Sequence, residues 1–90
     1  MKLATFKIKG ESASTIGGYV NNTYVDLHAL SDGALSSDMI QFLNAGDDAK
    51  GKAKGLLADA DKALQSAEVK TLQVQGKRYA YGADEIDLLA

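Results

Sequence analysis

The sequence predicts a small α+β domain: one antiparallel or mixed sheet with two helices packed on one side. Three observations carry this. Apolar residues alternate with polar ones near both ends of the chain, which is the period of a strand. Between them Ala49, Ala53, Leu56, Leu57, Ala60, Ala63, Leu64 and Ala67 recur at the helical period. The helical block therefore sits between two β regions, and its apolar stripe needs a sheet to cover it.

The first strand covers Leu3 to Lys9, where Leu3, Thr5, Lys7 and Lys9 alternate with Ala4, Phe6 and Ile8. Phe6 and Ile8 face inward. Gly10 to Ser14 is small and polar and forms a turn. Thr15 to Val20 is the second strand. It is interrupted by Gly17-Gly18, a pair that marks a bulge or a close approach of backbone. Asn21-Asn22 lies between two β-rich runs, and Asn tolerates positive φ, so the pair suits a two-residue type I′ hairpin. Thr23 to Leu27 is the returning strand, with Tyr24 on one face and Val25 and Leu27 on the other.

Ser31 to Ser36 is a loop. Ser36 or Ser37 caps the first helix, whose first turn holds Asp38 near the positive helix end. Met39, Ile40, Phe42 and Leu43 form its buried face, and Gly46 ends it in the left-handed conformation. Asp47 opens the second helix. Leu56 and Leu64 are expected to face the sheet, with Lys50, Lys54, Asp59, Asp61 and Lys62 outside. Gly51 and Gly55 each cost this helix about 1 kcal/mol relative to Ala. From Val69 to Gln75 the period returns to two, giving a strand. Gly76-Lys77 is a turn, Arg78 to Tyr81 the return strand, and Glu85 to Leu89 the last.

Ninety residues make one domain with a thin stability margin. There is no Cys, hence no disulfide and no thiolate nucleophile or ligand. A net charge of −2 spread along the chain gives no reason to expect nucleic acid. No apolar run approaches the ~20 residues that span a bilayer, and the opening residues lack the continuous apolar stretch of a signal peptide. A cytoplasmic protein is the simplest inference.

Catalytic and metal-binding sets are not visible, so we assign no catalytic, cofactor-binding or metal-ligating residue. His28 is the only His and stands beside no nucleophile turn. Asp47 with Asp48, Asp59 with Asp61, and Asp84, Glu85 and Asp87 lack calcium-loop spacing and read as capping or solvated charges. Lys50, Lys52 and Lys54 lie inside the helical stripe, not in a phosphate loop. The more telling residues are Tyr79 and Tyr81, placed two apart on a strand. With Ile86 and Leu88 they form a possible interface at the end of the chain, open to a weak symmetric homodimer.

Several segments together resemble the amino-terminal domain of the fumarylacetoacetate hydrolase family. They are Met1 to Phe6, the hairpin Ile16 to Leu30 with Tyr24-Val25-Asp26-Leu27, the helix Asp38 to Gly46, and the closing Asp84-Glu85-Ile86-Asp87-Leu88-Leu89-Ala90. The segment Lys70 to Tyr81 departs from the family's pattern. The resemblance implies a non-catalytic domain followed by a much larger catalytic one. That partner would carry magnesium or manganese on carboxylates and cleave or isomerise dioxo or 2-hydroxy-dienedioate acids, with a place in aromatic catabolism. The small domain would pack on it and shape oligomer contacts or site access. The alternative is a stand-alone protein-interaction module.

Overall fold

The computed structural model describes residues 2–89. It shows the expected α+β class. The strands are β1 Leu3–Ile8, β2 Ser14–Val20, β3 Thr23–Asp26, β4 Gln73–Val74, β5 Lys77–Arg78, β6 Ala80–Tyr81 and β7 Ile86–Leu89. The helices are α1 Leu27–Leu30, α2 Met39–Asn44 and α3 Asp47–Leu64, with 3-10 turns at Val69–Thr71 and Ala83–Glu85. Five strands make an antiparallel sheet in the order β6-β3-β2-β1-β7, and β4 with β5 forms a separate ribbon.

Sheet order dictates curvature. Laid flat, β6 and β7 would sit at opposite edges, about 19 Å apart over four strand spacings. Yet only five residue steps join Tyr81 to Ile86, at most about 17 Å fully extended. Three of the joining residues form a 3-10 turn, which is shorter still. The sheet therefore curls until its edges approach. Inside the curl Phe6, Tyr81 and Ile86 pack together, flanked by Ile8 and Tyr24. The Phe6 and Tyr24 rings meet edge to face at 5.9 Å.

The other sheet face carries the larger core. Ile16, Val25 and Ala80 meet Leu27, Ala29, Leu35, Phe42, Ala53, Leu57 and Ala60 from the helices and their connections. Gly17 and Gly18 explain how both faces close. A β-carbon on Gly17 would strike the Val25 carbonyl oxygen and the Phe6 ring, whereas one on Gly18 would strike the Leu57 side chain. The pair is a close approach on each face in turn. The hairpin forms as expected: Asn21 and Asn22 adopt φ of 49° and 59°, and Val20 pairs with Thr23.

Several expectations need correction. β3 ends at Asp26 because the Asp26 carboxylate accepts the Ala29 amide at 3.1 Å and starts α1, a third helix. Thr15 Oγ1 also donates to this carboxylate, at 2.9 Å, which holds the buried acid in place. Asp38, not Ser36 or Ser37, caps α2 by accepting the Gln41 amide at 3.0 Å, and Ser36 Oγ in turn accepts the Asp38 amide. Gly46 takes φ +82° and serves both the end of α2 and the start of α3.

On α3 the buried residues are Ala53, Leu57 and Ala60, and Leu56 and Leu64 are half-buried. At about 100° per residue, Leu57 lies within about 40° of Ala53 while Leu56 sits about 60° to the other side. Leu57 therefore faces the sheet. The Val69–Gln75 strand is replaced by a 3-10 turn and a two-residue strand. The following turn is Gln75-Gly76, at φ 53° and 75°, one residue earlier than expected. The expected Arg78–Tyr81 strand is split at Tyr79, since Arg78 belongs to the ribbon and Ala80 to the main sheet.

Candidate interaction surface

Tyr79, Tyr81 and Ile86 are each more than nine-tenths buried, so they form no exposed patch. Nor do the two tyrosines share a face. Tyr79 joins the helix-side core and Tyr81 the core inside the curl. The break between β5 and β6 resets the alternation that would have aligned them. Burial pushes both phenol pKa values up, and for Tyr81 the nearby Glu11 and Asp26 carboxylates add to the effect. Of the four residues singled out from the sequence, only Leu88 is exposed.

Leu88 and its neighbour Leu89 have company in Ile40 and Leu43, which the sequence reading places in the core. Ile40 is 71% exposed, Leu88 58%, Leu43 47% and Leu89 42%. The four apolar residues of α2 span too wide an arc for one short helix to bury. Phe42 and Met39 turn to the core, and Ile40 projects about 160° from Phe42. Ile40 and Leu43 are three apart and stand one turn above the other on the same side. Leu89 pairs with Thr5 across β1. Thr5 in turn lines a groove of about 290 Å³ with Ser14, Ser37, Asp38, Met39 and Ile40. Met39 and Ile40 of α2 thus line a groove that reaches Thr5, the β1 partner of Leu89, while Leu88, opposite Phe6, projects from the other face of β7.

β7 is also an edge. It pairs with β1 alone, and among the described residues no strand covers its outer side. An edge strand with exposed leucines on both faces is a surface that a polypeptide partner would cover.

Arg78 and Glu85 anchor this edge. Arg78 Nη1 donates to Glu85 Oε2 and Nη2 to Oε1, both at 2.7 Å. Glu85 Oε1 accepts the Gly82 amide at 3.0 Å as well. The Arg78 hydrogen bonds, helped by Gly82, hold the Glu85 carboxyl down at about 2. The Arg78 guanidinium lies 4.5 Å over the Tyr81 ring, and its pKa is raised by the Glu85 hydrogen bonds. Reading Glu85 as a solvated charge misses this pair. Its partner stands seven residues upstream across a turn, a spacing with no helical or strand signature.

The remaining candidates are brought to no common centre. His28 lies on α1, where Nδ1 donates to the Leu35 carbonyl at 2.7 Å. Its role is to fix the loop that leads to α2. Asp47 and Asp48 occupy the first turn of α3, where the helix dipole favours them. Lys50, Lys52 and Lys54 are exposed on that helix. Among the described residues no three His, Cys, Asp or Glu side chains gather closely enough to hold a metal ion, and no helix is long and apolar enough to cross a membrane.

No family model matches the chain, and no significant match is found among curated proteins or solved structures. Met1 and Ala90, the outer limits of the segments that carry the family resemblance, lie outside the described residues.

Proposed function

We propose that this chain is a docking domain of the kind found at the amino-terminal side of fumarylacetoacetate hydrolase family enzymes. It packs its α2–β7 surface on a catalytic domain and contributes no catalytic group. The partner holds magnesium or manganese and acts on dioxo or 2-hydroxy-dienedioate acids in the cytoplasm. The docked domain shapes access to that site or contacts between subunits.

One observation carries the docking part of this reading. Four large aliphatic side chains, Ile40, Leu43, Leu88 and Leu89, stand exposed on α2 and on the edge strand β7. The identity of the partner rests on the order of the resembling segments. The test mixes this chain with a separately expressed catalytic domain of that family from the same genome. Light scattering after gel filtration should find a one-to-one complex. Separate elution at micromolar concentrations contradicts the proposal, and binding to an unrelated protein instead favours a stand-alone interaction module.

A further inference from the structure

The hydrogen-bond phase of β7 can be assigned. Lys9 donates its amide to the Glu85 carbonyl at 3.0 Å, and the register pairs Lys7 with Asp87 and Thr5 with Leu89. In an antiparallel ladder, bonded and non-bonded pairs alternate. Asp87 and Leu89 therefore turn their backbone N–H and C=O toward β1, while Ile86 and Leu88 turn theirs outward. Tyr81 packs against the Ile86 end. The Leu88 end is open: the residue is 58% exposed and its backbone groups point away from β1.

Asp87 decides what can pair there. The single ion pair among the described residues is Arg78–Glu85, so Lys7, directly opposite Asp87 across the ladder, makes no salt bridge with it and leaves its carboxylate open to a second cation. A second copy of the chain adding along β7 has two symmetric registers near this end. Centred on Asp87, it sets the two carboxylates directly opposite each other, which is destabilising. Centred on Leu88, it sets Asp87 against a leucine. Neither supplies a positive charge.

We propose that the outer edge of β7 is a strand-addition site for an extended segment of a partner protein. That segment carries Lys or Arg across from Asp87 and apolar residues across from Leu88 and Leu89. Main-chain hydrogen bonds to Leu88 hold it, and the apolar position opposite Leu89 lies toward the groove beside Ile40. This deepens the docking reading and rests on it, since it names how one part of that surface is engaged.

The probe is a capped peptide, Thr-Val-Leu-Lys-Val-Thr, titrated into the isotope-labelled chain and followed by amide NMR. Its control replaces Lys by Glu. Shifts should concentrate at Ile86–Leu89 and Ile40–Leu43, with the Lys peptide binding about two- to fivefold tighter. Asp87→Lys should reverse that preference. Leu88→Pro removes an outward N–H and no internal bond, so it should abolish binding at an unchanged Tm. Equal binding of both peptides to both proteins, shifts confined to other regions, no binding at millimolar peptide, or concentration-dependent self-pairing at β7 would each overturn the inference. Failure of the peptide arm together with a catalytic-domain complex rejects strand addition alone. Success of the peptide arm with no such complex rejects only the identity of the partner.

Discussion

Arg78 and Glu85 face each other through two parallel hydrogen bonds of 2.7 Å, and the pair ties the β4–β5 ribbon to the root of β7. The two side chains are about three-quarters removed from water, at 25% and 29% exposure. A bidentate pair in that setting fixes geometry more than a flexible lysine pair would. It therefore holds the curl of the sheet and, with it, the position of the exposed leucines.

The Glu85 carboxyl titrates at about 2 when folded, against 4.5 when free. Its stabilisation is thus fully present above pH 4.5 and lost as the pH falls from there toward 2. Solvent screening reduces it to on the order of 1 kcal/mol. Glu85→Gln should lose that amount at pH 7 and show a shallower acid limb. Urea midpoints measured from pH 7 to 3 check this, and identical pH profiles for the two proteins contradict it.

Leu57→Ala should cost about 2–4 kcal/mol, and Leu56→Ala clearly less. Leu57 is the residue that meets Gly18 across the core. Denaturant midpoints of the two variants decide between the helix faces.

Gly17→Ala should destabilise by about 1–3 kcal/mol or more, because the obstacle is a backbone carbonyl that has nowhere to move. Gly18→Ala meets only the Leu57 side chain. Combined with Leu57→Ala it should cost less than the sum of the two single changes. A double-mutant cycle on stability reads the coupling directly.

Gly51→Ala and Gly55→Ala should each stabilise by about 0.5–1 kcal/mol. Both sit in the interior of α3, and an added β-carbon at either would meet nothing within 4 Å. Thermal unfolding should show raised midpoints, and an unchanged pair would mean that this half of α3 is frayed.

These variants separate what was legible in the chain from what was not. The Asn21-Asn22 hairpin and the close approach at Gly17-Gly18 were readable because few residue types satisfy those geometries. The α3 stripe was readable as a helix but misaligned, since its apolar arc is broad enough to hide which leucine lies at its centre. Asp26 reads as strand and is the last residue of β3, and only its bonds to Thr15 and Ala29 show that it also caps α1. Val69–Gln75 alternates like a strand, yet the described chain offers it only β5 as a partner. The exposed apolar surface is half legible. The sequence singles out Leu88, while the exposure it assigns to Tyr79 and Tyr81 belongs to Ile40 and Leu43. Periodicity reports that a residue has a face, not what the rest of the fold places over it.

Burial of the tyrosines also changes what their removal does. Tyr79→Ser with Tyr81→Ser should cost on the order of 3 kcal/mol per site and compromise folding. Leu88→Ser with Leu89→Ser should leave the unfolding midpoint nearly unchanged, and circular dichroism melts of the two double variants would show the contrast.

The docking claim is tested most directly by amide hydrogen exchange of this chain, free and mixed with the catalytic domain. Slowed exchange confined to Ile40–Asn44 and Ile86–Leu89 is the result the account predicts. Protection centred on the outer face of α3 or on the Asn21-Asn22 hairpin, with those two segments unchanged, would contradict it.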